Sequence, residues 1–251
     1  MKRKGVIFAI SFLLLLILLF SSEIKTAANL LLANIQKQYF LLASKDMNTL
    51  ETENFIIRYE DSTENASMTA AIAEKYYGLL SQEFNFHSEK KIPIIVYNDI
   101  QKMKKTAFMK TEGVPMGLYV GKTVQVLSPD IWIPSDKNKA QIYEKRGPII
   151  HELTHYIVDE ITGGNHEKWF FEGISLYMEY LYTGYVIGNE SKDKELYTLA
   201  ELENSFSELN QIKAYYSSFM YIKSLVEEKD FEYLKNVLQY FKENENTKIF
   251  I

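Results

Sequence analysis

The segment His151-Glu152-Leu153-Thr154-His155 restricts the chain more than any other stretch. On an α-helix, positions i and i+4 lie on one face, one above the other, so both imidazoles can reach a single metal ion. Glu152 is turned about 100° from His151 on a helix of 3.6 residues per turn and need not be a ligand. Its carboxylate can sit beside the ion and take a proton from a bound water. Pro148 falls near the start of this helix, where its missing N–H costs nothing. Gly163-Gly164 stops it, so the pattern predicts a helix from Pro148 to about Ile161 that carries both rings.

A catalytic zinc takes three protein ligands and leaves the fourth position to water. The chain has no cysteine, which excludes thiolate ligands and disulfides. The third ligand must therefore be a histidine or a carboxylate. Of the four histidines, only His166 lies downstream of the pair. It falls in the loop after Gly164 and reads as a solvated loop residue, with substrate contact as the alternative. Asp159 is one turn beyond His155 on the same helix, where a third donor would crowd one stripe. Glu172 is the strongest candidate, early in a following helix in Trp169-Phe170-Phe171-Glu172-Gly173-Ile174-Ser175. A second helix packed on the first can present one carboxylate beside both rings, and His₂Glu is a catalytic zinc set. Glu179 lies seven residues on, on the same face, and can accept a hydrogen bond from a ligand's free ring N–H. The plain alternative for either glutamate is a solvated helix carboxylate.

Along the chain, residues 23–48 read as a helix, with Leu30, Leu31, Leu32, Ile35, Tyr39 and Leu42 at helical spacing. It is expected to pack on the domain as a stalk, lying along a membrane surface being the other reading. Asn54–Tyr59 and Lys91–Tyr97 are strand candidates, separated by a helix over Ser67–Phe84. Ile100–Phe108 reads as a short helix. Gly117–Leu127 reads as two short strands hinged at Gly121-Lys122, and Ser128–Lys139 as loop. Trp169–Tyr182 and the remainder, roughly 195–245, are helical in pattern. A mixed α/β half thus precedes a helical half, with the histidine pair near the junction.

These motifs resemble the gluzincin metallopeptidases, which carry HExxH and then W-x-x-E-G-x-(A/S) on a following helix. The nearest likeness is to the short "peptidase MA-like" domains, with the match concentrated in residues 147–182 and a weaker one over 50–240. The resemblance implies His151, His155 and Glu172 as zinc ligands and Glu152 as the base. It departs from the pattern at Leu176, where many relatives carry an acid one turn after the ligand. Relatives use a tyrosine from the C-terminal helices to stabilise the oxyanion. Tyr215 fits that register best, with Tyr216 as the rival. The stretch from Gly117 to Pro129 resembles the edge strand that aligns a peptide. The G-x-M-E-N motif of aminopeptidase relatives has no glutamate counterpart in Gly113-Val114-Pro115-Met116-Gly117, so the expected action is endopeptidase.

Lys2, Arg3 and Lys4 precede an apolar run from Gly5 to Phe20, broken only by Ser11. With Ser21 and Ser22 the run nears the roughly 20 residues a membrane span needs, and no good cleavage site follows. The expectation is an uncleaved signal anchor over 1–22, basic end inside, with a cleaved signal peptide and secretion as the alternative. The chain of 251 residues carries a net charge of −5 and no basic footprint for nucleic acid. The expected class is α+β: anchor (1–22), helical stalk (23–48) and a zincin-like domain (49–251). That domain would have a small mixed-sheet lobe and a helical C-terminal lobe, with the active-site helix between them. The expected activity is a membrane-tethered, extracytoplasmic zinc endopeptidase acting on a peptide or protein substrate. A catalytically silent relative that binds a peptide or cell-surface partner is the alternative.

Overall fold

The computed structural model describes residues 21–60, 62–108, 113, 115–135, 137–188 and 195–244. The signal-anchor segment therefore lies outside the described residues, apart from its last two positions. The helix expected over 23–48 spans Ser21–Ala43 (α1), and Asn48 already opens a strand, β1 (Asn48–Glu51). No helix among the described residues is long and apolar enough to cross a membrane.

β1 pairs antiparallel with β2 (Phe55–Tyr59). Phe55, Ile57 and Tyr59 alternate with half-covered residues, so β2 turns one face to the core. The next strand, β3 (Ile92–Tyr97), runs parallel to β2, which demands a crossover. Helix α2 (Thr63–Phe84) supplies it, started by the Ser62 side chain on the Asn65 N–H and stopped by Asn85 in a left-handed conformation. After α3 (Ile100–Thr106), the hairpin of β4 (Gly117–Val120) and β5 (Thr123–Leu127) completes the sheet, in the order β1-β2-β3-β5-β4. It is a five-stranded mixed sheet with β4 at one edge.

β3 is buried on both faces. Ile92, Ile94 and Val96 join the main core with α2 and the helices that follow. Ile95 and Tyr97 face the other way, onto Phe40 of α1 and Met103 of α3. Each such side chain contributes about 1.5–3 kcal/mol by leaving water. The remaining helices are α4 (Lys139–Arg146), α5 (Ile149–Thr162), α6 (Lys168–Thr183), α7 (Leu199–Ser205), α8 (Gln211–Lys229) and α9 (Phe231–Glu243). The segment expected as loop over 128–139 contains a short 3₁₀ turn, Pro129–Ile131, and leads directly into α4. Helix α5 touches α2, α6, α9 and both hairpin strands, which places the histidine pair where sheet and helices meet.

Candidate metal centre

Helix α5 begins directly after Pro148 and ends at Gly163, whose left-handed φ of 66° lets its N–H close on the Asp159 carbonyl. A short loop returns the chain antiparallel as α6. Gly173 sets how near α8 comes to α6: a Cβ there would stand 2.7 Å from the Ser218 carbonyl oxygen. The glycine after Glu172 is thus needed for close helix packing.

These helices bring His151, His155 and Glu172 together, with one ligand atom of each within 4.8 Å of the others. His151 Nε2 stands 3.3 Å from Glu172 Oε2, and His155 Nε2 stands 3.4 Å from the same oxygen. Ligand atoms held about 2.0–2.2 Å from a tetrahedral ion stand about 3.3–3.5 Å apart, so both distances fit one shared metal ion. The far nitrogens are also engaged. His155 Nδ1 lies 2.9 Å from Ser175 Oγ, and His151 Nδ1 lies 3.6 Å from Glu179 Oε2. Ser175 itself donates to the Phe171 carbonyl, though a hydroxyl oxygen can still accept from an Nδ1–H. Both rings then keep Nε2 free to ligate, as ligand-orienting partners do in metal sites. Leu176 is buried at 5% exposure, and the carboxylate facing His151 comes from Glu179.

The charges are strongly coupled. Burial drives the Glu152 carboxyl up to about 8; His151 opposes this and Glu172 adds to it. Burial likewise lowers His155 to about 4, against the pull of the Glu172 charge. For His151 burial also works downward, but contacts with Glu172 and Glu179 outweigh it and hold the ring well above its ordinary value. Burial would raise Glu172, yet the two imidazoles win and keep it far below the usual carboxylate range. The carboxylates of Glu172 and Glu179 favour a proton on His151. A cation bound there competes with that proton.

The edge strand closes the site. The Tyr119 backbone N–H near Glu152 works against the rise of its carboxyl. A Cβ on Gly117 would stand 2.4 Å from Pro148 Cβ and 2.7 Å from Glu152 Oε1, so only glycine lets β4 lie this close. Tyr119 donates its hydroxyl to Asp159 Oδ2 at 2.6 Å. Asp159 therefore serves the strand and stands outside the ligand cluster. His166 is not the solvated residue expected from its loop: its side chain is 13% exposed and lies 3.8 Å from Asp159. Its ring stacks on Phe171 at 3.9 Å, and Phe171 stacks on His155 at 3.9 Å. The exclusion of water by Phe171 is what covers it.

Tyr215 on α8 is half-buried, packed on Phe206, and raised above its ordinary range by burial and then by the charges of Glu172 and Glu152. Tyr216 packs instead near Gly188 and on Phe219. Of the two, Tyr215 is the one turned to the site's carboxylates. Ser175, Phe171 and Tyr119 were not singled out by sequence. The available signal for Ser175 was its position three residues after Glu172, on the same helix face. Compared with protein-family models and with curated proteins, the chain matches none.

Proposed function

We propose that the chain is a zinc-dependent endopeptidase of the gluzincin kind, tethered to a membrane by its first 22 residues with the site outside. One observation carries this reading: two histidine Nε2 atoms converge on a single Glu172 oxygen at the spacing of a tetrahedral ion, beside a buried Glu152. Zinc suits an all-nitrogen-and-oxygen set of this kind and, when bound, polarises a carbonyl and acidifies water. His151, His155 and Glu172 would hold it. Glu152 takes the proton from the attacking water and returns it to the leaving amine. With a cation held by those three ligands, the raised pKa of Glu152 would be drawn down and its carboxylate kept ionised at neutral pH. The Tyr215 hydroxyl is kept protonated and can donate to a developing oxyanion. Edge strand β4 beside Glu152 offers main-chain groups along which a peptide can be laid.

The test is metal content and peptide cleavage by the purified chain and its Glu152→Gln variant. The parent retains about one zinc per chain and cleaves a peptide library. The variant keeps the zinc and loses about 10²–10⁴ in rate. A parent without zinc sinks the metal assignment. A zinc-loaded variant that cleaves as well as the parent sinks the role of Glu152. A zinc-loaded parent that cleaves nothing but binds peptide favours the silent relative.

A further inference from the structure

Helix α1 is built inside out for a helix on a protein surface. Its inner face is fixed to the domain: Phe40 and Ser44 are buried, and Arg58 bonds the Leu41 carbonyl and Ser44 Oγ. The hairpin tip presses on it, since a Cβ at Gly121 would stand 2.5 Å from Gln36 Cβ. The outer face carries an apolar stripe, with the exposed amides Asn34 and Gln38 beside it. Leu31, Leu32, Ile35 and Leu42 are 62, 54, 58 and 66% exposed, with Tyr39 beside them. Between Leu30 and Ala43 the only charge is Lys37, which is half-buried on the inner side near Glu160. A helix facing water normally shows the opposite distribution. The patch extends beyond the helix. Phe108 is 71% exposed, with its ring 5.3 Å from that of Tyr39. Its φ of 55° is costly for phenylalanine, and this backbone presents the ring outward.

We infer that this face, Leu31, Leu32, Ile35, Tyr39, Leu42 and Phe108, lies on the surface of a lipid bilayer. The inference rests on the tether proposed above and goes beyond it: the domain is held flat against the membrane, not carried on a free stalk. The chain itself names the occupant. The uncharged run from Gly5 to Phe20 ends at the residue before α1 begins. A bilayer that receives the run also meets the outer face of α1, as interfacial helices do. Tyr39 suits the headgroup level. Docking in this way brings the hairpin tip at Gly121, and with it the end of edge strand β4, next to a membrane-bound helix.

The chain has no cysteine, so single-cysteine variants label uniquely. Leu31→Cys, Ile35→Cys, Leu42→Cys and Phe108→Cys are compared with Lys229→Cys, an exposed position on α8. Each full-length chain carries an environment-sensitive fluorophore. Each is reconstituted in unilamellar vesicles of phosphatidylcholine and phosphatidylglycerol, with iodide on both sides. The first four labels should be blue-shifted, several-fold protected from iodide and quenched by lipid-borne nitroxide; the label at Lys229 should be none of these. Chains that float with the vesicles while all labels are equally open to iodide overturn the docked face and leave the tether standing. Chains that do not float overturn both. Protection from iodide without quenching by lipid assigns the face to a second copy or another protein and also overturns the proposal.

Discussion

Helices α5 and α1 break the usual partition of polar and apolar groups in opposite directions. α5 buries Glu152 and His155 at 6% and 5% exposure, while α1 leaves leucines and an isoleucine more than half exposed. Apolar side chains near the surface are ordinary one at a time; buried charges and contiguous exposed apolar faces are not. Sequences that fold well violate local rules mainly where function requires it. On α5 the violation is compensated inside the molecule, because the two imidazoles meet Glu172, Glu179 and Ser175, and Asp159 meets the Tyr119 hydroxyl. On α1 nothing among the described residues compensates it, and the proposed compensation is external.

The sharpest way to break this comparison is to truncate one apolar side chain on each helix. Leu153, fully buried on α5, should cost about 2–5 kcal/mol as Leu153→Ala. Ile35, 58% exposed on α1, should change stability by no more than about 0.5 kcal/mol as Ile35→Ala. Urea unfolding of both variants without membrane decides it. A large cost at Ile35 would mean that the outer face of α1 is packed after all.

What sequence could see follows the same division. The histidine pair, the Gly163 stop and Glu172 were legible because they are local: spacing along one helix, a breaker after it, a carboxylate with a glycine beside it. The strand β1 was not, because Asn48–Glu51 is short, mostly exposed and becomes a strand only by pairing with β2. Helix α4 carries no strong signal because its sequence, Lys139–Arg146, is largely polar and buries only Tyr143. The stripe on α1 was legible as helical spacing, but not its direction. The pattern predicts packing, whereas the structure turns Phe40 inward and leaves Leu31, Ile35 and Leu42 outside. His166 was misread for a related reason, since its cover comes from Phe171 on another element.

A smaller effect sharpens the account of α5. If Glu179 and Ser175 orient the two rings, Glu179→Gln and Ser175→Ala should each weaken metal affinity about tenfold to a hundredfold, or roughly 1.4–2.7 kcal/mol. Metal titration against a competing chelator reads this directly. Unchanged affinity in both variants would reduce these contacts to packing. A comparable polar change on the outer face of α1 should leave metal affinity where it was.

The smallest effect concerns the hold of α5 on the edge strand. Burial alone would raise the Asp159 carboxyl, but His166, the Tyr119 hydroxyl and Lys122 together hold it below its ordinary value of 3.8. A carboxyl depressed in the folded state stabilises the fold fully above its unfolded pKa and loses that contribution as pH falls through the folded one. Asp159→Asn removes the charge at every pH. The variant should therefore be less stable than the parent by about 1 kcal/mol at neutral pH, with the gap closing below about pH 4. Unfolding free energies of both proteins across that range, with chelator present, measure the gap. A gap independent of pH would mean that the Tyr119 hydroxyl is held as well by a neutral acceptor. The charge on Asp159 would then contribute nothing to fixing β4 beside Glu152.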